Sequence, residues 1–289
     1  MMRDLLSGVA NLAVLLFAVT SMLSVGLAHS VKQILGPLRD LWALVRALLA
    51  NFVLVPLLTL GILRLWPLDR PLEAGLLLVA MSAGAPFLIK LTEVASAEVS
   101  LSATLLVLLL PATVVYAPVV VPQVLPEAEV SAGALAVPLV LTMLLPLAVG
   151  LLMHTRWPAP AQRWGPIARR TSTLALVVIA LATTLANFPA IIALFAEGTI
   201  VPALLVIAGA FVIGYLLGGR DRNVRTVLAL GTSQRNIAAA TVMATQGFAS
   251  RDTVVMVIVT SLAGFALLFP VSGVLRKRES TLAGRSRAP

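Results

Sequence analysis

Six consecutive residues, Gly231-Thr232-Ser233-Gln234-Arg235-Asn236, stand inside an apolar run and carry hydroxyl, amide and guanidinium groups where packing side chains are expected. Val227-Leu228-Ala229-Leu230 precedes them and Ile237-Ala238-Ala239-Ala240 follows. A second interruption, Ser82-Ala83-Gly84-Ala85-Pro86, separates the run ending at Met81 from Phe87-Leu88-Ile89-Lys90-Leu91-Thr92-Glu93. Glycine and proline break helices, and a helix broken within a membrane exposes free N–H groups on one half and free C=O groups on the other. Such ends bind ions. Side chains of Ser82, Thr232, Ser233, Gln234 and Asn236 can replace the water around a cation or hold a carboxylate. Small residues also permit close helix contact, and that role suits residues 82–86 as well. Residues 231–236 exceed what contact alone requires.

Lys90 and Arg235 lie just past the two breaks and read as the most deeply placed cations of the chain. A cation at the bilayer centre costs at least about 2.5 kcal/mol, so each needs a partner or an aqueous cavity. Glu93, three residues after Lys90 on the same helical face, is one such partner, which makes Lys90 a stabiliser of its own half-helix. Arg235 has no acid nearby in sequence. The other role for Arg235, and for Lys90, is to present fixed positive charge to an anionic substrate. Asn51 and Pro56, with Ser100, Ser102 and Thr104, are secondary candidates that also suit helix contact.

These residues sit in elements that only lipid can solvate. The chain of 289 residues is 60% hydrophobic and 11% charged, too apolar for one water-soluble core. A helix crosses a bilayer with about 20 apolar residues. Such stretches predict nine spans, at 8–30, 41–65, 72–93, 98–122, 131–153, 172–193, 199–218, 223–247 and 253–275. An all-α polytopic membrane protein follows, because open sheet edges leave backbone groups unpaired in hydrocarbon.

A net charge of +9 would also suit nucleic acid, but its placement favours a membrane and no nucleic-acid partner. Lys32, Arg39, Arg156, Arg163, Arg169, Arg170, Arg220, Arg222, Arg225, Arg276, Lys277, Arg278, Arg285 and Arg287 fall on one side of the predicted topology. Arg3, Arg64, Arg70 and Arg251 fall on the other, with Glu127, Glu129 and Glu197. The positive-inside rule then puts the N-terminus outside and the C-terminus in the cytoplasm of a cell (inner) membrane protein, which an odd span count requires. Trp42, Trp66, Trp157 and Trp164 take span ends or the basic loop at 154–171, as headgroup-seeking rings do. His29 and His154 also sit at span ends. The first apolar run is long for a signal sequence and Asp4 spoils its basic lead, so it reads as a span.

The third and eighth predicted spans, both interrupted, are five apart and run in opposite directions. Similar junctions follow them, Ala95-Ser96-Ala97-Glu98-Val99 and Ala249-Ser250-Arg251-Asp252-Thr253-Val254. This is the pattern of an inverted repeat, with spans one to four matching six to nine, and it is the signature of a secondary transporter. An intramembrane enzyme would need paired aspartates, Ser with His, or a metal-binding His cluster within the spans. The aspartates all lie at break edges and there is no cysteine. A transporter, not an enzyme, is predicted, with no cofactor and no resident metal; a channel or membrane sensor shares the polar breaks.

Several segments, in order along the chain, resemble the bile acid:sodium symporter family. Leu230 to Ala240 is similar to the Gly-Met-Gln-Asn segment of the family's second broken helix. Met22-Leu23-Ser24-Val25-Gly26-Leu27 resembles the end of an early family helix, Asn51-Phe52-Val53-Leu54-Val55-Pro56 its Gln-Phe-Leu-Leu-Met-Pro run, and Glu98-Val99-Ser100-Leu101-Ser102 its Asp-Val-Ala-Leu-Ser run. The resemblance implies a single transporter domain over 1–278, and the tail at 279–289 reads as disordered and cytoplasmic. Within the domain, a core of spans at about 41–122 and 199–275 contains two crossed, broken helices, and a panel of spans at about 8–30 and 131–193 rocks against it. It implies a small organic anion as substrate, membrane lipid as surroundings and Na+ as coupling ion, with Asn51, Ser102 and Gln234 as sodium ligands that carry over. The family's membrane carboxylate falls on Ala229 or Leu230, and its Thr-Ala-Ser-Asn run is replaced by Pro86-Phe87-Leu88-Ile89. An alternative is a sodium-independent carrier, uncoupled or proton-coupled, in which Lys90 and Arg235 take the space and charge of the missing ions.

Overall fold

The computed structural model describes residues 2–30, 41–126, 131–196, 198–248 and 250–285. Lys32, Arg39, Glu127, Glu129, Glu197 and Arg287, used above to orient the chain, lie outside the described residues. Eleven helices and no strand occur among the described residues. They are α1 (Met2–Ala28), α2 (Leu41–Leu65), α3 (Arg70–Met81), α4 (Leu88–Val94), α5 (Val99–Val124) and α6 (Ala132–Arg156). The second half holds α7 (Pro158–Ala196), α8 (Ile200–Leu217), α9 (Arg222–Ser233), α10 (Ile237–Gly247) and α11 (Arg251–Arg285). Among the described residues, α2, α5, α6, α8 and Arg251–Arg276 of α11 are long and apolar enough to cross a membrane, and Leu12–Ala28 of α1 is a shorter apolar stretch. The two interrupted spans appear as the pairs α3/α4 and α9/α10.

Local chemistry sets these boundaries. Asp221 Oδ1 accepts from Val224 N at 3.1 Å and caps α9, and Ser131 Oγ accepts from Ala134 N at 3.2 Å and caps α6. Both α2 and α6 widen into a π-helical turn, at Ala50–Leu54 and Val140–Leu144, just before Pro56 and Pro146. A proline has no N–H to give to the carbonyl four residues earlier, so the turn ahead of it loosens.

The interrupted helices occupy the centre. Every residue from Ala74 to Ala85 is buried, as is every residue from Thr226 to Ala244. A helix enclosed on all sides must be apolar or internally satisfied all round. α3 packs along α10 and α4 along α9. First half therefore meets second half in both cases, the arrangement of two interrupted helices that cross while running in opposite directions. Other contacts repeat between the halves: α2 with α3 and α8 with α9, α4 with α5 and α10 with α11, α3 with α11 and α9 with α5.

α1 packs chiefly against α6 and α7. Its approach to α6 is set by two glycines, since a Cβ on Gly26 would lie 2.4 Å from Leu147 O and one on Gly150 would lie 2.7 Å from Leu23 O. Helix ends also sort. His154 Nδ1 is 2.8 Å from Leu27 O, Arg46 Nη1 donates to Leu217 O at 2.9 Å, and Thr253 Oγ1 donates to Pro71 O at 3.0 Å. Each pairing joins ends that alternating spans place on the same side.

Two expectations change. The basic stretch at 154–171 is not a loop: α6 continues to Arg156 and α7 begins at Pro158, because proline is favoured in a first helical turn and Ala159, Ala161, Gln162 and Arg163 are sound helix formers. At the C-terminus α11 extends to Arg285, so residues 279–285 are helical where a disordered tail was expected, and 286–289 lie outside the described residues.

Candidate functional site

The two breaks meet in a buried crossing. α3 stops where Gly84 takes φ +78°, a left-handed conformation that glycine adopts freely. Ser82 Oγ turns back to donate to Leu78 O at 2.7 Å. α5 satisfies the opened backbone, with Ala83 N donating to Thr113 Oγ1 at 3.1 Å and the Thr113 hydroxyl donating to Ala83 O at 3.0 Å. α9 stops at Ser233, whose hydroxyl donates to Ala229 O at 2.8 Å, and Gln234 and Asn236 are extended. Asn236 then joins the breaks. Its N–H donates to Ser82 O and its Nδ2 to Gly84 O, both at 2.9 Å, while its Oδ1 accepts from Ala239 N at 3.1 Å and caps α10.

Arg235 fills the space between the C-terminal ends of α3 and α9. Nε donates to Val79 O at 3.2 Å, Nη1 to Asn51 Oδ1 at 2.7 Å and Thr232 O at 2.9 Å, and Nη2 to Asn51 O at 3.4 Å and Ala80 O. A guanidinium has five N–H donors, and here each has an oxygen. The side chain is 4% exposed, and every one of its partners is a neutral oxygen. Val79, Ala80 and Thr232 belong to last helical turns, where the macrodipole is negative; Val79 O also accepts from the C-cap Ser82 N at 3.0 Å. Asn51, in the π-helical turn of α2, also donates from Nδ2 to Ala47 O at 2.9 Å and to Thr232 Oγ1 at 3.4 Å.

A separate region opens beside the first break. Phe17, Ser21, Ser24 and His29 of α1, Pro86, Phe87, Lys90 and Glu93 of the break and α4, and Arg169, Ser172 and Thr173 of α7 line a cavity of about 270 Å³. Lys90 Nζ donates to Glu93 Oε2 at 3.0 Å, and the side chains are 60% and 40% exposed. Arg169 has no acidic partner among the described residues. Phe87 and Leu176 also border a second cavity of about 250 Å³, walled by Ile179, Ile237, Ile258, Leu262, Phe265 and Phe269 among others.

The sequence-predicted residues thus fall into two groups. Pro86, Lys90 and Glu93 line the polar cavity; Asn51, Ser82, Gly84, Thr232, Arg235 and Asn236 build the crossing. Gly231 is packed under Leu105 and Leu88, and Ser233 bonds only its own helix. Ser102 is buried, and its hydroxyl donates to Val99 O at 2.7 Å, within its own helix. Lys90 stands on the open face of α4, so burial within the protein distinguishes Arg235 alone of the pair. Every Arg235 donor is bonded to a protein oxygen, and the residue lines neither of these two cavities.

Ser21, Ser24, His29, Arg169, Ser172 and Thr173 were not read from the sequence as site residues, yet they line the cavity. Their signal was present: Phe17, Ser21, Ser24, Ala28 recur at helical spacing and give α1 one face with two hydroxyls, and Arg169-x-x-Ser172-Thr173 does the same on α7. Taking 154–171 for a loop hid the second pattern.

The family resemblance of the sequence implies a sodium ion, and the buried oxygens fit one only in part. Gln234 Oε1 is buried with no hydrogen-bond partner among the described residues, and an orphaned amide oxygen fits a cation ligand. Asn51 Oδ1 does not fit, because Arg235 occupies it. The comparisons with known proteins agree with the architecture. The chain is 26% identical over 197 residues to a protein of Oryza sativa subsp. japonica named probable sodium/metabolite cotransporter BASS2, chloroplastic. That match covers 68% of this chain and 47% of the relative, so the chain spans about half the length of the curated relative it matches. The Sodium Bile acid symporter family matches over residues 13–192, from α1 through most of α7, and with the crossed, interrupted helices this establishes that the chain belongs to that family.

Proposed function

We propose that this protein is a secondary transporter of a small organic anion, driven by sodium. The observation that carries the reading is the polar cavity beside the first break, where Arg169 and Lys90 converge with four hydroxyl side chains between α1, α4 and α7. Cations in a partly apolar cleft recognise a carboxylate or a sulfonate, and a few placed polar groups among apolar walls are usual for small-molecule sites. The adjoining apolar cavity accepts a hydrocarbon body on the same molecule. Lys90 is paired with Glu93, which leaves Arg169 as the principal anion contact.

The cavity lies where α1 and α7 face α4. In this reading α1, α6 and α7 form a panel that rocks against the rest, with the crossing held rigid. Gln234 Oε1 supplies one oxygen to a coupling cation. The positive-inside count supports nine spans with the N-terminus outside and a cytoplasmic C-terminus.

The test is counterflow into proteoliposomes preloaded with unlabelled monocarboxylates, sulfonates or sulfated amphiphiles, under inward sodium or potassium gradients. The expected result is saturable, trans-stimulated uptake that is faster in sodium, with KM raised in Arg169→Ala. Non-saturable flux would assign the fold to a channel, and absence of anion uptake from the whole panel would overturn the substrate class.

A further inference from the structure

We propose that His29 is a proton site in the anion cavity: its ring takes a proton from solvent as the anion binds, so the solute is recognised together with H+. His29 follows the last residue of α1, is partly buried and lines the cavity shared with Lys90, Glu93 and Arg169. Its Nδ1 lies 3.1 Å from Val25 O, one turn earlier. A carbonyl oxygen can only accept, so this contact puts the ring hydrogen on Nδ1 and leaves Nε2 bare in the neutral imidazole. Among the described residues, the Val25 contact is the one hydrogen bond of the ring. A bare ring nitrogen turns a lone pair toward an anion, whereas a protonated one offers a charged N–H. Anion binding and protonation of Nε2 therefore favour each other, and linkage makes the effect equal in both directions.

The charges around the ring set the sign. Arg169 faces the cavity from α7, and Lys90 and Glu93, paired at 3.0 Å, face it from α4. α10, which also packs on α1, carries no charged residue, and on α6 His154 is turned to Leu27 O at 2.8 Å and does not line the cavity. With His29 neutral, the two cations and one carboxylate leave the cavity one positive charge; protonation makes two. Arg169 and Lys90 oppose that second charge while the cavity is empty, and a bound anion offsets their opposition. The end of α1 favours the imidazolium throughout, because its last carbonyls carry the negative end of the helix dipole. Glu93 already has a cation beside it, so His29 is the titratable group of the cavity without a charged partner among the described residues. Imidazole is also the side chain that ordinarily changes charge between pH 5 and 8.

The inference rests on the reading of this cavity as the anion site, and the two fail differently. The probe is 1-octanesulfonate, which stays ionised throughout the range in which imidazole titrates, so a pH response belongs to the protein. Added to the purified full chain in weakly buffered detergent solution at about pH 7, it is expected to draw protons from solution, read with a pH dye. In proteoliposomes with equal pH and equal sodium on both sides, KM for the sulfonate is expected to fall about fivefold or more between about pH 8 and about pH 5.5. His29→Gln, which has no basic nitrogen, is expected to keep the high KM throughout and to abolish the proton uptake. Glu93→Gln and His154→Gln are expected to retain both responses.

A pH response that survives in His29→Gln, or is lost in Glu93→Gln or His154→Gln, overturns the assignment to His29. Proton uptake by the parent protein needs no variant, so its absence on saturable sulfonate binding overturns the inference even if His29→Gln is not recovered, and leaves the anion site standing. A parent protein that binds no sulfonate at any pH overturns the anion site and this inference with it.

Discussion

Arg235 Nη1 donates to Asn51 Oδ1 at 2.7 Å, joining residues 184 positions apart through a bond from which solvent is excluded. Asn51 in turn reaches Thr232 Oγ1, so one amide links the π-helical turn of α2 to the end of α9 and to the guanidinium that closes α3. The crossing is therefore held by three helices, and its rigidity depends on a side chain outside either break.

Asn51→Ala removes the one side-chain acceptor among the oxygens around Arg235 and leaves a buried charged N–H without that acceptor. A buried donor stripped of its partner costs about 1–3 kcal/mol, more when charged. The variant is expected to unfold at clearly lower temperature in detergent than the parent, and a Tm equal to that of the parent would show that the Asn51 amide is dispensable to the crossing.

Gly84→Ala is expected to destabilise by a different route. At φ +78° any Cβ is strained, by about 1–2 kcal/mol, and here it would also lie 2.7 Å from Leu110 N, a backbone atom that cannot swing aside. Denaturant unfolding monitored in mild detergent gives the comparison. Gly133→Ala, with open space around its Cβ, serves as the control and should be close to neutral.

Much of this site was legible in the sequence because lipid punishes polar residues: a run such as residues 231–236 stands out against apolar neighbours, and so does the glycine-proline break at 84–86. The partners of those residues were not legible. Arg235 lacks an acid in sequence because its counter-charge is the backbone of two helix ends and an amide 184 residues away, which no local pattern encodes. Lys90 and Arg235 both follow a break and look alike in sequence, but α4 presents one face to a cavity while residues 226–244 are enclosed all round. The cavity's α7 wall was lost with the assumption that a Pro- and Arg-rich stretch must be a loop.

Glu93→Gln tests the anion site from an unexpected side. Glu93 holds Lys90 Nζ at 3.0 Å, and neutralising it frees the ammonium toward the cavity. A partly exposed pair is worth about 0.2–1 kcal/mol, so KM for the transported anion should fall up to about fivefold. Lys90→Ala should raise KM modestly and Arg169→Ala more. The ordering is read from initial uptake rates in proteoliposomes, and a KM raised by Glu93→Gln would place the carboxylate, not the two cations, in contact with the solute.

Asn236 separates two roles that meet in one side chain. Its Oδ1 caps α10 by accepting from Ala239 N, and its Nδ2 crosses to Gly84 O. Asn236→Asp keeps the cap, which a carboxylate at a helix N-terminus serves well, but replaces the donor to Gly84 O with a second acceptor. If the bond between the breaks holds the crossing, Asn236→Asp should lose about 1–3 kcal/mol despite its better cap, and amides near Gly84 should exchange hydrogen faster. Asn236→Ser, which caps and leaves Gly84 O without that donor but adds no charge, should fall between Asn236→Asp and the parent. An Asn236→Asp protein as stable as the parent would mean that capping alone explains the asparagine, and that the breaks are held together by the Ser82 O bond and by Arg235.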